Sequence, residues 1–124
     1  MGYRSEVILV VGKEVMPHFL VALAKSEEAR AMCYQDADSY IQNHYKDGTS
    51  LFHWSHIKWY DSFEEVDAIE DFLDWCESER IFVEGVEVDA AEFVQFIRIG
   101  ENLDDLETKG YGYYGVDINR SIGF

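Results

Sequence analysis

The spacing of hydrophobic positions changes along the chain, and each spacing predicts a different element. An apolar run from Val7 to Val11 predicts a central β-strand over residues 5–11, because strands buried on both faces lack alternation. Apolar residues at helical spacing then predict one long helix over residues 13–33. Pro17 lies in its first turn, where proline is tolerated.

Two hairpins are predicted from strand-like runs that flank glycine turns. Residues 40–45 and 50–60 flank Asp47-Gly48, and Asp-Gly between strand-like runs is a strong hairpin signal. The short runs within residues 81–88 flank Gly85 in the same way. The first segment therefore predicts an antiparallel pair, and the second predicts a short hairpin or a sheet edge.

A second helix is predicted over residues 62–78. Ser62, followed three residues later by Glu65, fits a capping box with Ser62 as the N-cap. At about 100° per residue, the apolar side chains fall on one arc, which predicts the face toward the core. This predicted core face comprises Val66, Ile69, Phe72, Leu73 and Cys76.

Two further strands are predicted in the last third of the chain. Residues 93–99 are strongly strand-like, and residues 114–122 alternate between apolar and polar positions. The resulting order, β-α-β-β-α-β-β, predicts an α+β fold with a mainly antiparallel sheet and two helices on one face. A ferredoxin-like variant fits this order. We expect one domain over residues 1–124, which is long enough to bury an ordinary core.

The chain is strongly acidic, with a formal net charge of −15, and the imbalance lies in one region. Residues 61–107 contain seventeen acidic residues against Arg80 and Arg98. Residues 1–60 contain seven acids and six bases, and residues 108–124 contain one acid and two bases. This charge argues against direct binding to nucleic acid or to an anionic membrane, and it favours a basic partner.

The second predicted helix carries much of this charge on the arc opposite its core face. We call this arc the acidic face, and it comprises Glu64, Asp67, Glu70, Asp71, Asp74 and Glu77, with Trp75 at its edge. Acidic residues three and four apart repel each other by a few tenths of a kcal/mol per pair, so stability alone does not explain the row. One interpretation is a solvated surface. The sharper interpretation is a partner-binding row of carboxylates that imitates a nucleic-acid backbone and enters a groove lined with lysine and arginine.

The aromatic stretch at residues 52–60, FHWSHIKWY, is predicted to be structural. In a strand, His53 shares a face with Trp59, whereas His56 lies on the opposite face with Trp54, so the two histidines cannot bind one metal ion. The acidic residues of 101–107 lack the spacing of an EF-hand loop. We therefore expect no metal site.

No chemistry-bearing motif is apparent, and we expect no cofactor and no catalytic residue. Cys33 and Cys76 lack the spacing of a redox or metal motif, and they are predicted to be buried reduced thiols. Apolar runs are too short for a signal peptide or a membrane span, which predicts a cytoplasmic protein.

Two alternatives to an acidic binding protein remain open. If the two terminal strands are neighbours, Tyr3, Arg4 and Arg120 form an anion pocket, as in a nucleotide-binding domain or a small enzyme. Otherwise the two arginines are surface residues paired with acids. In the other alternative, an oligomeric assembly component buries aromatic residues at an interface, and the candidates are Trp54, Trp59 and Trp75. The oligomeric state is open.

Short segments throughout the chain resemble a group of small phage and prophage accessory proteins, mostly of unknown function. These segments are GYRSEV at 2–7, IKWY at 57–60, IEDFL at 69–73, FIRIGE at 96–101 and NRSI at 119–122. The resemblance supplies no catalytic residues. Phages use small acidic proteins against host nucleic-acid machinery, including anti-CRISPR and anti-restriction proteins. The resemblance therefore implies a counter-defence or host-takeover role, with a basic nucleic-acid-binding host protein or complex as the partner.

Overall fold

The structure is a computed structural model that describes residues 2–45, 47–102, 104–118 and 122–123. In chain order its elements are β1 (Ser5–Val11), α1 (Met16–Ala24), α2 (Glu27–Tyr34), β2 (Ser39–Gln42), β3 (Ser50–Ile57), α3 (Glu64–Ser78), β4 (Arg80–Val83), β5 (Val86–Asp89), a 3-10 helix (Ala90–Phe93), β6 (Val94–Ile99), β7 (Leu106–Lys109), β8 (Asp117–Ile118) and β9 (Ile122–Gly123). In the part of the chain that is described, no helix is long and apolar enough to cross a membrane.

A five-stranded sheet with the order β2-β3-β1-β6-β7 forms the centre of the fold. All of its neighbouring strands are antiparallel, and β1 lies in the middle between β3 and β6. The predicted α+β fold class is therefore confirmed. The order β2-β3-β1-β6 is that of the predicted ferredoxin-like arrangement, and β7 extends it at one edge.

Strand β1 is buried on both faces, which explains its unbroken apolar sequence. Val7, Leu9 and Val11 face the helices and belong to the larger core cluster. Ile8 and Val10 face the opposite side and pack in a smaller cluster. Alternate side chains of one strand thus serve two separate layers of the core.

The predicted helix over residues 13–33 is wrong, because the chain forms two helices that break at Lys25-Ser26. Ser26 has an extended backbone, with φ −146° and ψ 113°, and its side-chain oxygen accepts a hydrogen bond from the Ala29 N–H at 3.1 Å. This N-cap starts α2 as a separate helix. In one continuous helix Ser26 would have helical backbone angles and would not act as an N-cap. Three helices rather than two therefore contribute to the core on the same face of the sheet.

Helix α3 has the predicted core face but a different start. Val66, Ile69, Phe72, Leu73 and Cys76 are all buried, as their spacing predicts. The N-cap is Phe63 and no side chain caps the helix, so the predicted capping box at Ser62 is wrong. The helix begins two residues after Ser62, which places the Ser62 side chain too early to reach its first free N–H groups.

This difference between the two serines predicts opposite results for one substitution. Ser26→Ala is expected to lower the free energy of unfolding by about 1 kcal/mol, because it removes the cap of α2. Ser62→Ala is expected to change it by less than about 0.5 kcal/mol, since Ser62 caps nothing. Urea denaturation of both variants measures the difference, and a larger loss for Ser62→Ala would contradict the assigned helix start.

Both predicted hairpins are present. Strands β2 and β3 pair from Ser39 with His53 to Gln42 with Ser50. Strands β4 and β5 flank Glu84 and Gly85, whose φ angles are 52° and 82°. Positive φ at both central residues is what a type I′ hairpin turn requires, and glycine adopts it without a steric penalty.

The aromatic stretch is structural, as predicted, although its alternation is interrupted. The β1–β3 register shifts between Ser5, which pairs with Ile57, and Val7, which pairs with Trp54. This irregularity adds one residue to β3, and the strand ends at Ile57. Trp59 therefore packs in the helix-side core, where Trp54 also lies, instead of on the opposite face.

The predicted last strand is largely replaced by irregular structure. Only Asp117–Ile118 and Ile122–Gly123 pair, as the short strands β8 and β9, and residues 119–121 lie outside the described part of the chain. Tyr114 and Val116 are buried over the second face of the sheet without forming a strand. Strand β7, for which the sequence predicted no element, supplies one edge of the sheet.

Candidate functional site

The structure divides the acidic face into two parts with different surroundings. One part is exposed and makes no contact with β7, and we call it the outer carboxylates: Glu64, Asp67 and Asp71. The other part contacts the end of β7, and we call it the inner carboxylates: Glu70, Asp74 and Glu77. Of the six carboxylates, Asp67 and Asp71 are therefore the ones most available to a partner.

Lys109 holds the inner carboxylates against the sheet. Its Nζ donates to Glu70 Oε1 at 2.6 Å and to Asp74 Oδ1 at 3.0 Å, and the next N–H, of Gly110, donates to Glu77 Oε2 at 3.1 Å. The second oxygen of Glu70 accepts from Trp59 Nε1 at 2.9 Å. Burial lowers the pKa of Lys109, but the hydrogen bonds that it donates to Glu70 and Asp74 outweigh this effect and raise the pKa above its usual value. Glu70 is thus part of the structural framework.

A second set of ion pairs lies beside this one, around Arg98. The Arg98 guanidinium donates to Asp105 Oδ1 at 2.8 Å and to Glu107 Oε1 at 3.0 Å. The hydrogen bond from Arg98 is the main cause that holds the pKa of Asp105 below its usual value, and Tyr3 contributes a further one. Two of the acidic residues of 101–107 are therefore paired within the protein.

The residues proposed for an anion pocket have carboxylate neighbours. The Tyr3 hydroxyl donates to Asp105 Oδ2 at 2.6 Å, and the backbone N–H of Arg4 donates to Glu101 Oε2 at 2.7 Å. Arg120 lies outside the described residues. An anion pocket formed by these three residues stays a prediction.

A groove of about 660 Å³ is lined by α3 and by the strands that carry these ion pairs. Among the described residues, two basic ones line it, Arg98 and Lys109. The acidic residues that line it are Asp61, Asp67, Glu70, Asp71, Asp74, Asp105 and Glu107. Carboxylates outnumber cations by seven to two, so the groove keeps a negative charge even after its internal pairing.

A second groove, of about 420 Å³, lies between α1 and α3 on the other side of the outer carboxylates. Val21, Ala22, Ala68 and Phe72 give it apolar walls. We call it the helix groove. All three outer carboxylates line this groove, and Asp67 and Asp71 line both grooves, so these two lie between two concave surfaces.

Aromatic rings close one part of the helix groove. Trp75 of α3 stacks on His18 of α1, with ring centroids 4.2 Å apart and planes at 29°. Sequence reasoning placed Trp75 at the edge of the acidic face but missed His18. A signal was present, because His18, Val21, Ala22 and Lys25 have the spacing of one helical arc, and all four line the groove.

The three tryptophans considered for an oligomer interface lie in different environments. Trp54 is 2% exposed and Trp59 is 7% exposed, and both belong to the core. Trp75 is half-buried and reaches the surface at the helix groove. An interface formed by Trp54 or Trp59 is therefore wrong, because neither ring is available on the folded chain.

The described part of the chain contains few groups suited to metal binding or to thiol chemistry. Within it, no group of three His, Cys, Asp or Glu side chains could hold a metal ion. His53 contacts Glu6, with His53 Nε2 and Glu6 Oε2 2.8 Å apart. Burial raises the pKa of Cys33 and that of Cys76 to about 12, so both thiols stay protonated at neutral pH and are poor nucleophiles.

Comparison of the chain with protein-family models, with curated proteins and with solved structures finds no match.

Proposed function

We propose that this chain is a non-enzymatic binding protein whose acidic face occupies a basic, nucleic-acid-binding surface of a partner. The observation that carries the proposal is the exposure of Asp67 and Asp71 between two grooves. Among the described residues, no cation lies within salt-bridge distance of either carboxylate. Their charge is available for a partner.

The outer carboxylates have a spacing suited to a surface that binds phosphates. Glu64 and Asp71 are seven positions apart on the same helix, which corresponds to about 10 Å along its axis. One strand of B-DNA carries about three phosphates over that length. A hydrogen bond with Glu28 raises the pKa of the Glu64 carboxyl and engages it within the protein, so the proposal rests on Asp67 and Asp71.

The inner carboxylates support the row by fixing the helix that carries it. Lys109 joins Glu70 and Asp74 to β7, which fixes the orientation of α3 relative to the sheet. A rigid row of charges loses less conformational entropy on binding than a flexible acidic tail. The acidic groove beyond it adds negative potential, which accelerates the approach of a basic partner.

The proposed biological setting rests on the resemblance of short segments to phage accessory proteins. In that setting the partner is a host complex that binds nucleic acid, such as a CRISPR or restriction effector, and the protein acts in the host cytoplasm. Occupation of the nucleic-acid groove would block the complex without any catalytic step. The protein would thus serve counter-defence or host takeover.

Affinity capture from host lysate tests this proposal. The immobilised protein is expected to retain a nucleic-acid-binding protein at low ionic strength and to release it as salt is added, because the attraction is between screened charges. The captured protein should also be released by its own nucleic acid. Recovery of no nucleic-acid-binding protein at low or moderate salt would count against the proposed function.

A further inference from the structure

We propose that the helix groove is an anchor site for one arginine side chain of the basic partner. This inference rests on the proposed function, because it names the residue by which the partner is held. Its basis is the combination of apolar walls, aromatic rings and carboxylates in one concave surface.

The apolar walls suit the stem of a long basic side chain. Val21 and Ala22 line the groove from α1, and Ala68 and Phe72 line it from α3. Arginine and lysine bury their methylene groups along apolar surfaces of this kind while the charged end stays near polar groups. An entirely apolar ligand would leave the outer carboxylates desolvated without a partner, which costs free energy.

The charge of the lining favours a cation. The three outer carboxylates face one ammonium group, that of Lys25, so the lining keeps an excess of negative charge. Neither Asp67 nor Asp71 has a salt-bridge partner in the described part of the chain. A positively charged side chain is therefore complementary to the groove, whereas a phosphate or a carboxylate is repelled.

The aromatic rings favour arginine over lysine. Trp75 and His18 stack with centroids 4.2 Å apart and form one wall of the groove. A planar guanidinium stacks on aromatic faces and donates two parallel hydrogen bonds to a carboxylate, and a lysine ammonium does neither as well. Arginine is also enriched among residues that dominate binding energy at protein interfaces.

Two peptides of equal length, oligoarginine and oligolysine, test this site by titration at physiological ionic strength. The arginine peptide is expected to bind about three to ten times more tightly, which is the range of one cation–π contact. Its addition should shift the NMR signal of the Trp75 indole N–H. Trp75→Leu is expected to remove the preference between the peptides, and circular dichroism checks that the variant is folded.

A matched pair of substitutions on α1 separates the effect of the groove on peptide affinity from the effect of net charge. Val21 is 59% exposed and lines the groove, whereas Leu20 is 48% exposed and is not among its lining residues. Val21→Lys places a cation in the groove and is expected to weaken binding of the arginine peptide several-fold more than Leu20→Lys does. Both variants add the same charge, so a difference in their affinity for the arginine peptide is caused by the groove.

The outcomes distinguish this inference from the function on which it rests. If both peptides bind equally, and Val21→Lys and Leu20→Lys act alike, the arginine site is overturned. The acidic face is then retained if Asp67→Lys with Asp71→Lys still abolishes binding. If neither peptide binds the unmodified protein, the arginine site and the proposed function are both overturned.

Discussion

Replacing Asp67 and Asp71 with lysine is expected to abolish binding to the basic partner while the fold stays intact. Both side chains are exposed, and they lie opposite the buried face of α3. Two lysines facing a basic surface create like-charge contacts that cost several kcal/mol, which corresponds to more than about a hundredfold in affinity. Titration of the captured partner measures the loss.

The same double variant should not be destabilised. Each new lysine lies three residues from a remaining acid, Glu70 for position 67 and Asp74 for position 71, so repulsion in these two pairs becomes attraction, while the pair of positions 67 and 71 stays like-charged. The free energy of unfolding is expected to hold or rise by about a few tenths of a kcal/mol. Asp74, which the sequence alone would include in this set, is left unchanged because it accepts a hydrogen bond from Lys109.

A control variant with the same change in net charge tests whether the position of the reversed charges matters. Asp47→Lys with Asp104→Lys alters two exposed acids that do not line either groove. This control is expected to weaken binding much less than the reversal of Asp67 and Asp71. Equal losses would show that only total charge matters, and the acidic face would then be a solvated surface.

Lys109→Met is expected to cause the largest loss of stability, about 2 to 3 kcal/mol. The Lys109 side chain is 19% exposed and that of Glu70 is 14% exposed, so the pair is mostly withdrawn from water. Removing the cation leaves the Glu70 carboxylate with the Trp59 N–H as its remaining hydrogen-bond donor in the described structure. The partial exposure keeps the expected loss below that of a fully buried pair. Urea denaturation measures it.

A second substitution tests whether the uncompensated charge is the cause. Glu70→Gln combined with Lys109→Met removes both charges, and it is expected to recover part of the stability lost in Lys109→Met. Lys25→Met, at an exposed lysine, is expected to change stability by less than about 0.5 kcal/mol. A loss for Lys109→Met no larger than that of Lys25→Met would contradict the structural role of the pair.

The parts of the fold that follow from local spacing could be predicted from the sequence. The core face of α3 and the central strand β1 are examples, because each depends on residues a few positions apart. The break between α1 and α2 was missed since helical spacing continues through it. Ser26 followed by Glu27-Glu28 was the available signal, as serine caps and acids in the first turn start helices.

The site was predictable only in part, because spacing along the chain shows contacts between near residues and not between distant ones. Helical spacing places all six carboxylates on one arc, but it does not show which of them are paired. That division depends on Lys109, which lies 39 positions from Glu70 and reaches it through the unpredicted strand β7. Likewise the helix groove exists because α1 packs against α3 and brings His18 onto Trp75.

Competition between this protein and nucleic acid for the captured partner tests the central claim most directly. The partner's own nucleic acid is expected to displace the protein completely, and the apparent Kd of the protein should weaken at least about tenfold between low and physiological ionic strength. The double lysine variant at Asp67 and Asp71 should not compete. A ternary complex in which partner, nucleic acid and this protein bind together, with an affinity insensitive to salt, would contradict the claim that the acidic face takes the place of phosphates.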